Sequence, residues 1–270
     1  MEVTLVSKLY SIFNSKEWNQ NESNETVFES FCNLLSNITP EQSQLILDLT
    51  ERYIWITLGQ YQGKLIKTLN SVEDEKIEKL KRIILFPIMK PEDEHKTKSG
   101  HAVLYMVRGI KPMLKKYNHI TFLKIENYEG LREGSLKLTN TDAIFLLDDY
   151  LGSGETIQAT LDGVLNINPI PKEYLNVISI ASQLTAFEYV TSLNISIYTD
   201  IVTTKGISDF YSNAERDDKT KIMMEIEKMI SGNHFSFGYN QSEALITLIR
   251  TPDNTFPIFW KAYRKNNKKF

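Results

Sequence analysis

The sequence contains few of the residues that mark several common classes of site. Of its 270 residues, Cys32 is the only cysteine, which excludes disulfides within the chain and cysteine-rich zinc sites. The formal net charge of -3 argues against a general nucleic-acid binder, although a local basic patch remains compatible with it. No arrangement of Cys with His, or of Ser with His and Asp, offers a nucleophilic catalytic set.

Long apolar runs are also missing. No uninterrupted apolar segment approaches the length of a membrane span. The start, MEVTLVSKLYSIF, has neither the long apolar core nor the cleavage pattern of a signal peptide. No repeat with a period of about 20 to 50 residues is present. We therefore expect a cytoplasmic globular protein with no membrane partner.

One stretch, residues 143–161, has a distinctive order of features. It reads AIFLLDDYLGSGETIQATL and begins with five apolar residues, 143–147, that show no alternation. Such a run predicts a parallel strand that is buried on both faces. Two acids, Asp148 and Asp149, follow the predicted strand. A short turn with two glycines, 152–154, then leads into a helical pattern.

A glycine-containing turn between a strand and a helix is suited to binding an anion. Backbone N–H groups point outward there, the helix dipole favours negative charge, and glycine lets a phosphate approach closely. The two carboxylates suit sugar hydroxyls, which donate hydrogen bonds to acids. The stretch therefore predicts a ribose 5-phosphate site, at which Ser153 and Thr156 would add hydroxyl donors. A turn that uses glycine only for its geometry is the alternative.

In this order of features the stretch resembles the phosphoribosyl pyrophosphate (PRPP) motif of type I phosphoribosyltransferases. The resemblance implies that Asp148 and Asp149 are the catalytic acids, which hold the ribose 2- and 3-hydroxyls, and that residues 152–156 cradle the 5-phosphate. It also implies Mg²⁺ as cofactor, bound mainly through substrate oxygens, with the two acids as the candidate protein ligands. Family members often carry Thr or Asp in place of Gly152. The Asp is an acid/base in purine salvage, so Gly152 argues against that activity.

A second candidate segment is the charged loop 90–100, which lies between the predicted strand 82–88 and the predicted helix 101–108. In type I phosphoribosyltransferases the loop after an early core strand binds pyrophosphate. By this resemblance Lys98, Ser99 and Gly100 would supply a cation, a hydroxyl and a backbone that a phosphate can approach. We also expect Ser99 to cap the helix. A solvated surface loop with a conventional cap is the alternative.

From residue 80 onward, apolar strand-like runs alternate with helical patterns. The runs are residues 82–88, 120–125, 143–147, 175–180 and 195–201, and a further apolar strand, 244–249, is predicted in a last section of different character. This rhythm predicts a parallel sheet with ligands at the carboxyl ends of its strands. The segment 126–140 resembles the mobile loop that family members close over PRPP.

Before residue 80 the pattern is helical, and it includes a helix that begins at Thr39-Pro40 and extends as far as Leu69. We predict an α/β fold with a type I phosphoribosyltransferase-like core. An N-terminal helical extension, 1–79, precedes the phosphoribosyltransferase-like domain, 80–270, which ends in a hood-like α+β segment.

The closing passage, residues 238–260, reads GYNQSEALITLIRTPDNTFPIFW. It resembles the end of phosphoribosyltransferase-like proteins of bacterial conflict and anti-phage defence systems, retron-type effectors among them. The resemblance implies a toxin or effector that binds PRPP or a related ribose 5-phosphate nucleotide and transfers or hydrolyses it. It also implies an oligomer and protein partners from the same operon, with or without a nucleic-acid component. A catalytically inactive regulatory protein that binds PRPP is the alternative, since Gly152 lacks the Thr or Asp side chain of other family members and is consistent with weakened catalysis.

Overall fold

The computed structural model describes residues 3–20, 24–132, 137–167, 170–230, 235–262, 264–265 and 268–269. Its α-helices are α1 (Val3–Ser15), α2 (Glu25–Asn37), α3 (Pro40–Arg52), α4 (Leu58–Asn70), α5 (Asp74–Glu78), α6 (Ser99–Ile110), α7 (Tyr128–Arg132), α8 (Glu155–Leu165), α9 (Leu184–Ser192) and α10 (Asn213–Glu227). Its strands are β1 (Ile54–Trp55), β2 (Arg82–Pro87), β3 (Thr121–Lys124), β4 (Asp142–Leu151), β5 (Leu175–Gln183), β6 (Ser196–Thr203), β7 (Ile246–Thr247), β8 (Arg264–Lys265) and β9 (Lys268–Lys269). Part of the predicted mobile loop, 133–136, lies outside the described residues.

The chain divides into two compact units. The sheet unit is Ile56–Thr204, and the two-segment unit combines Met1–Trp55 with Lys205–Phe270. The predicted division at residue 79 therefore runs through the sheet unit. Whether the segments 1–79 and 80–270 behave as separate domains stays a prediction.

The sheet unit is built on a five-stranded sheet in the order β3-β2-β4-β5-β6, in which every paired strand is parallel. The predicted α/β fold with a parallel sheet is confirmed. β4 and β5 lie in the middle of the sheet and are almost entirely buried. Their unbroken apolar runs follow from this position, because helices cover both faces of a parallel sheet.

Helices α8 and α9 form one apolar cluster with the central strands, through residues such as Leu161 and Val190. Helix α6 packs on β2 and β4, and α4 packs on β5 and β6. Because the strands are parallel and the central ones are long, their carboxyl ends meet at one edge of the sheet. The acids predicted from the sequence lie near that edge, on β4.

The two-segment unit contains α1, α2 and α3 of the helices that the sequence predicts before residue 80. Helix α3 begins with the predicted capping box, in which Thr39 and Gln42 bond each other's backbone N–H groups. The predicted continuation to Leu69 is wrong, because α3 ends at Arg52 and the short strand β1 follows. β1 pairs in parallel with β7, which is much shorter than the predicted strand 244–249. Among the described residues, none of the helices has the length and apolarity needed to cross a bilayer.

Candidate functional site

The two predicted acids lie within β4, three and two residues before its end at Leu151. We expect from the sequence a strand that stops before Asp148, and this expectation is wrong. Strand β5 runs alongside as far as Gln183, so that β4 keeps a hydrogen-bonding partner beyond the acids. Asp148 lies opposite the buried Ser179 of β5. Strand pairing therefore fixes the backbone of Asp148 and of Tyr150, the two residues that flank Asp149.

Asp148 is buried, with 7% of its surface exposed. The hydroxyl of Ser99 donates a hydrogen bond of 2.5 Å to its Oδ1 atom, and the backbone N–H of Asp149 donates one of 2.9 Å to the same oxygen. Burial, and then the neighbouring charge of Asp149, raise the pKa of Asp148 well above its usual value, although the hydrogen bond from Ser99 acts in the opposite direction. Asp148 is thus held in place by protein donors.

Asp149 is half-buried, and its Oδ2 atom accepts a hydrogen bond of 2.9 Å from the hydroxyl of Tyr61. Tyr61 lies on α4 and is itself only 1% exposed. Sequence reasoning missed this residue, because it precedes the acid by 88 positions and lies in a segment that the sequence reading treats as a separate extension. The only feature of the sequence that could have indicated Tyr61 is its place on the apolar side of an amphipathic helix. Core residues without a role in a site occupy the same position, so this feature does not identify a site residue.

The predicted phosphate-binding turn lies between β4 and α8. Gly154 is the residue before α8 and adopts a left-handed conformation with φ of 88° and ψ of -12°. Residues with a side chain rarely adopt such angles. The carbonyl of Gly154 accepts the first hydrogen bond of α8, from the N–H of Gln158 at 2.9 Å. Gly152 and Ser153 are half-buried and Thr156 is exposed at the first turn of α8. The turn thus presents a helix N-terminus at the end of β4.

Glu155, the first residue of α8, forms an ion pair with Lys90 of the loop that follows β2. In the same loop, the N–H of Met89 donates to the hydroxyl of Thr160 at 3.1 Å, and that hydroxyl donates to the carbonyl of Met89 at 2.9 Å. These contacts fix the loop against the helix that begins at the predicted phosphate turn. Lys90 is a cation near this turn that sequence reasoning did not select.

The three residues predicted to bind pyrophosphate have different surroundings. Lys98 precedes α6, and its ammonium group pairs with Asp93 at 2.7 Å. Hydrogen bonds from Lys96 and Lys98 lower the pKa of Asp93 to about 2. The expected cap by Ser99 is wrong, because Ser99 is the first residue of the helix and its hydroxyl is directed to Asp148.

Gly100 is buried at the first turn of α6. A Cβ atom added there would lie 2.5 Å from the carbonyl oxygen of Leu147 and 3.0 Å from the backbone nitrogen of Ile88. Real Cβ atoms do not come so close, so only glycine lets the helix N-terminus contact both strands. The glycine is therefore required by the contact of α6 with β2 and β4, in addition to any role toward a ligand.

A family model described as PRTase-CE matches residues 16–268. The match begins directly after α1 and extends almost to the end of the chain. The chain belongs to the PRTase-CE family. No curated protein matches this PRTase-CE chain in sequence.

Several solved phosphoribosyltransferases are distantly similar to this PRTase-CE chain in structure. Hypoxanthine-guanine phosphoribosyltransferase from Schistosoma mansoni, in complex with IMP, is 15% identical, with a TM-score of 0.34 over 56% of this chain and 69% of that one. Purine phosphoribosyltransferase from Pyrococcus horikoshii is 12% identical, with a TM-score of 0.32 over 56% and 85%. Orotate phosphoribosyltransferase from Aeropyrum pernix is 11% identical, with a TM-score of 0.30 over 54% and 73%. Membership of the family depends on the sequence match, not on these similarities.

The PRTase-CE structure brings two of the predicted segments into contact, since Ser99 of the pyrophosphate segment bonds Asp148 of the acid pair. Lys98 is directed to Asp93 instead. Over the described ranges, no group of three or more His, Cys, Asp and Glu side chains is arranged to hold a metal ion. The acid pair offers two adjacent carboxylates, which fit a Mg²⁺ ion that takes most of its oxygen ligands from a phosphorylated substrate.

Proposed function

We propose that the carboxyl edge of the sheet binds PRPP or a related ribose 5-phosphate nucleotide. The hydrogen bond between Ser99 and Asp148 carries this proposal. It joins two segments, 49 positions apart, for which the sequence predicts binding of pyrophosphate and of ribose. Membership of the PRTase-CE family and the left-handed Gly154 before α8 support the same ligand.

Each part of the site has a distinct task in this proposal. Asp149, which is less buried than Asp148, accepts hydrogen bonds from the ribose hydroxyls. The turn 152–156 holds the 5-phosphate with backbone N–H groups and the hydroxyls of Ser153 and Thr156. The N-terminus of α6, residues 98–100, faces the pyrophosphate. Mg²⁺, held by substrate oxygens and the two acids, would screen the negative charge of the pyrophosphate.

We further propose that the chain is an effector of a bacterial anti-phage defence system, which works as an oligomer with operon-encoded protein partners. The resemblance of residues 238–260 to such effectors supports this role. The competing function is a regulatory protein that binds PRPP without turning it over. Gly152 favours it, because glycine has no side chain to serve as an acid or base.

Binding and turnover can be measured on the same preparations. Isothermal titration with PRPP and Mg²⁺ should show saturable binding to the wild type. Asp149→Asn should weaken it by at least about tenfold, the effect expected for losing charge-assisted hydrogen bonds. Asp162→Asn, the same change at an exposed position of α8, is the matched control and should bind like the wild type. Equal affinities for all three proteins would rule the site out.

Pyrophosphate release separates the two candidate functions. Release by the wild type that Asp149→Asn abolishes would establish transfer or hydrolysis, with the acids as catalytic residues. Binding without release, in the presence of nucleobases and of water alone as acceptors, would establish the regulatory alternative.

A further inference from the structure

The two-segment unit contains two adjoining cavities that the proposed function does not use. The inner cavity measures about 160 Å³, and we call it the aromatic slot; it is lined by Trp18, Val27, Phe31, Tyr53, Trp55, Thr247, Thr251 and Phe259. The outer cavity measures about 350 Å³ and is lined by Thr26, Val27, Ser30, Phe31, Leu34, Ile258, Phe259, Trp260, Lys261 and Ala262. Because Val27, Phe31 and Phe259 line both, the two are contiguous.

The aromatic rings of the slot stand at steep angles to one another. The ring centroids of Trp18 and Trp55 lie 5.8 Å apart at 64°, and those of Tyr53 and Phe259 lie 4.8 Å apart at 50°. Trp18 also meets Tyr53 nearly edge to face, at 6.3 Å and 86°. A slot of this volume has room for about five waters, and its aromatic walls suit a flat ring system better than water.

Hydroxyl groups occupy one side of the slot. Tyr53 and Thr247 share a hydrogen bond of 2.7 Å, and Thr247 and Thr251 share one of 2.9 Å. Among the described residues that line the slot, none is charged. Hydroxyls both donate and accept, so they can pair with the ring nitrogens and exocyclic groups of a heterocycle. The slot therefore suits an uncharged heteroaromatic ring, not a plain hydrocarbon.

The outer cavity adds one positive charge. Of its described lining residues, Lys261 alone is charged, and its ammonium group lies 5.0 Å from the centroid of Trp260 and 4.4 Å from that of Phe235. Thr26 and Ser30 of α2 also line this cavity, and the Ser30 hydroxyl donates a hydrogen bond of 2.8 Å to the carbonyl of Thr26. A ligand that reaches from the slot into this cavity would therefore place an anionic group near Lys261.

From this arrangement we propose that the two cavities bind a purine nucleoside monophosphate, with its base in the aromatic slot and its phosphate beside Lys261. The combined volume lies in the range of about 300 to 1,000 Å³ that is usual for small-molecule sites. Every base can stack on aromatic side chains, and a fused two-ring purine offers a larger apolar face than a single ring. This site shares no residue with the proposed PRPP site. The proposal of a nucleotide site therefore does not depend on the proposed function.

The distribution of tryptophan makes the proposal directly testable. The three tryptophans of the chain, Trp18, Trp55 and Trp260, all line the two cavities, and residues 56–204 contain none. Titration of the full chain with a purine nucleoside monophosphate should therefore quench tryptophan fluorescence saturably. Asp149→Asn, in the sheet unit, should leave the quenching unchanged. Loss of the quenching in that variant would assign the signal to the PRPP site and overturn the proposal.

Two variants in the cavities complete the experiment. Val27→Phe fills the wall that both cavities share and should weaken binding by at least about tenfold. Lys261→Gln, at the surface, should weaken binding of the monophosphate by about fivefold and leave the unphosphorylated nucleoside unaffected. Absence of saturable quenching in the wild type would overturn the proposal, as would an affinity of Lys261→Gln for the monophosphate equal to that of the wild type. A pyrimidine nucleotide that binds equally well would reject the purine assignment.

Discussion

Asp148 and Asp149 are neighbours in β4, but they have different surroundings. Asp148 is buried and accepts hydrogen bonds from Ser99 and from the backbone, whereas Asp149 is half-buried and bonded by Tyr61. Burial disfavours the charged form of a carboxyl group, and a like charge nearby disfavours it further. The negative charge on this pair therefore opposes folding, as is common at ligand sites.

The first prediction is that Asp148→Asn stabilises the protein at neutral pH. The raised pKa of Asp148 means that the folded state binds its proton more tightly than the unfolded state does. This contribution to stability is full below the unfolded pKa and is lost as pH rises through the folded pKa. Asparagine keeps the side-chain shape without the charge, so the free energy of unfolding should rise by about 0.5 to 2 kcal/mol, while affinity for PRPP falls.

Asp142→Asn is the matched control, with the opposite expected sign. Burial by itself raises the pKa of Asp142, but hydrogen bonds from Arg82 and Thr139 outweigh it, and the net pKa is lowered. Its stabilising contribution is present above the unfolded pKa and is lost as pH falls through the folded pKa. Thermal melts at neutral pH should show a higher Tm for Asp148→Asn and a lower one for Asp142→Asn. A lower Tm for both would mean that Asp148 is not under electrostatic strain.

Gly154 is the one position of the phosphate turn whose backbone requires glycine. Its φ of 88° lies in the left-handed region, and a Cβ atom there would meet only ordinary contacts with Ala186. We predict that Gly154→Ala lowers the free energy of unfolding by about 1 to 2 kcal/mol through backbone strain alone. Gly63→Ala, in an exposed and open part of α4, should instead be neutral or stabilising by up to about 1 kcal/mol. Urea denaturation of both variants measures the difference.

The sequence is sufficient to select the acids and the glycine turn, because their signal lies in about 20 consecutive residues. It is insufficient for Tyr61 and Lys90. Tyr61 reaches Asp149 across 88 positions, and Lys90 reaches Glu155 across 65. Only the packing of α4 and of the loop after β2 creates these contacts, and no local pattern encodes them.

At the scale of elements, the contact of α6 with the sheet positions Ser99. The buried Gly100 lets the first turn of α6 lie against the carbonyl of Leu147, the residue before Asp148. A helix that begins this close to the strand brings the Ser99 hydroxyl within 2.5 Å of the acid. The apolar run 143–147 predicts β4 and the helix pattern predicts α6. The short distance between them depends on Gly100, whose lack of a side chain lets the helix approach the strand.

We predict that Gly100→Ala displaces the beginning of α6 and costs about 1 to 3 kcal/mol of stability, because the added methyl group meets fixed backbone atoms. The displacement should also separate Ser99 from Asp148 and weaken PRPP binding. Gly109→Ala, near the other end of α6, has no atom within 4 Å of the added Cβ and serves as the control. If denaturation and titration show the same small effects for the two variants, the contact of α6 with β4 does not position the site.

At the scale of the whole molecule, the sheet unit is one continuous segment, whereas the other unit is assembled from both ends of the chain. The apolar runs predict the five strands of the sheet, and the capping pattern predicts where α3 begins but not where it ends. They do not show which helices pack on the sheet. Helix α4 precedes the first strand of the sheet and has the pattern of any amphipathic helix, yet it packs on β5 and β6.

This arrangement leads to the last prediction, which concerns domain boundaries. A fragment of residues 56–204 should fold cooperatively and bind PRPP with Mg²⁺, because it keeps the whole sheet and α4. A fragment of residues 80–204 should not fold stably. Without α4 it would lose the buried contacts of Tyr61, Leu65 and Leu69, each worth about 1.5 to 3 kcal/mol. The sum is comparable with the whole stability of a typical domain, about 5 to 15 kcal/mol.

Circular dichroism melts and titration with PRPP distinguish the two fragments. We expect a single sharp transition and saturable binding for 56–204, and a broad transition without binding for 80–204. The loss of binding has a second cause besides unfolding, since Tyr61 donates the hydrogen bond to Asp149. Tyr61→Phe in the longer fragment separates the causes, because it removes the hydroxyl and keeps the ring. Cooperative folding of 80–204 with wild-type affinity would show that α4 belongs to neither the sheet core nor the site.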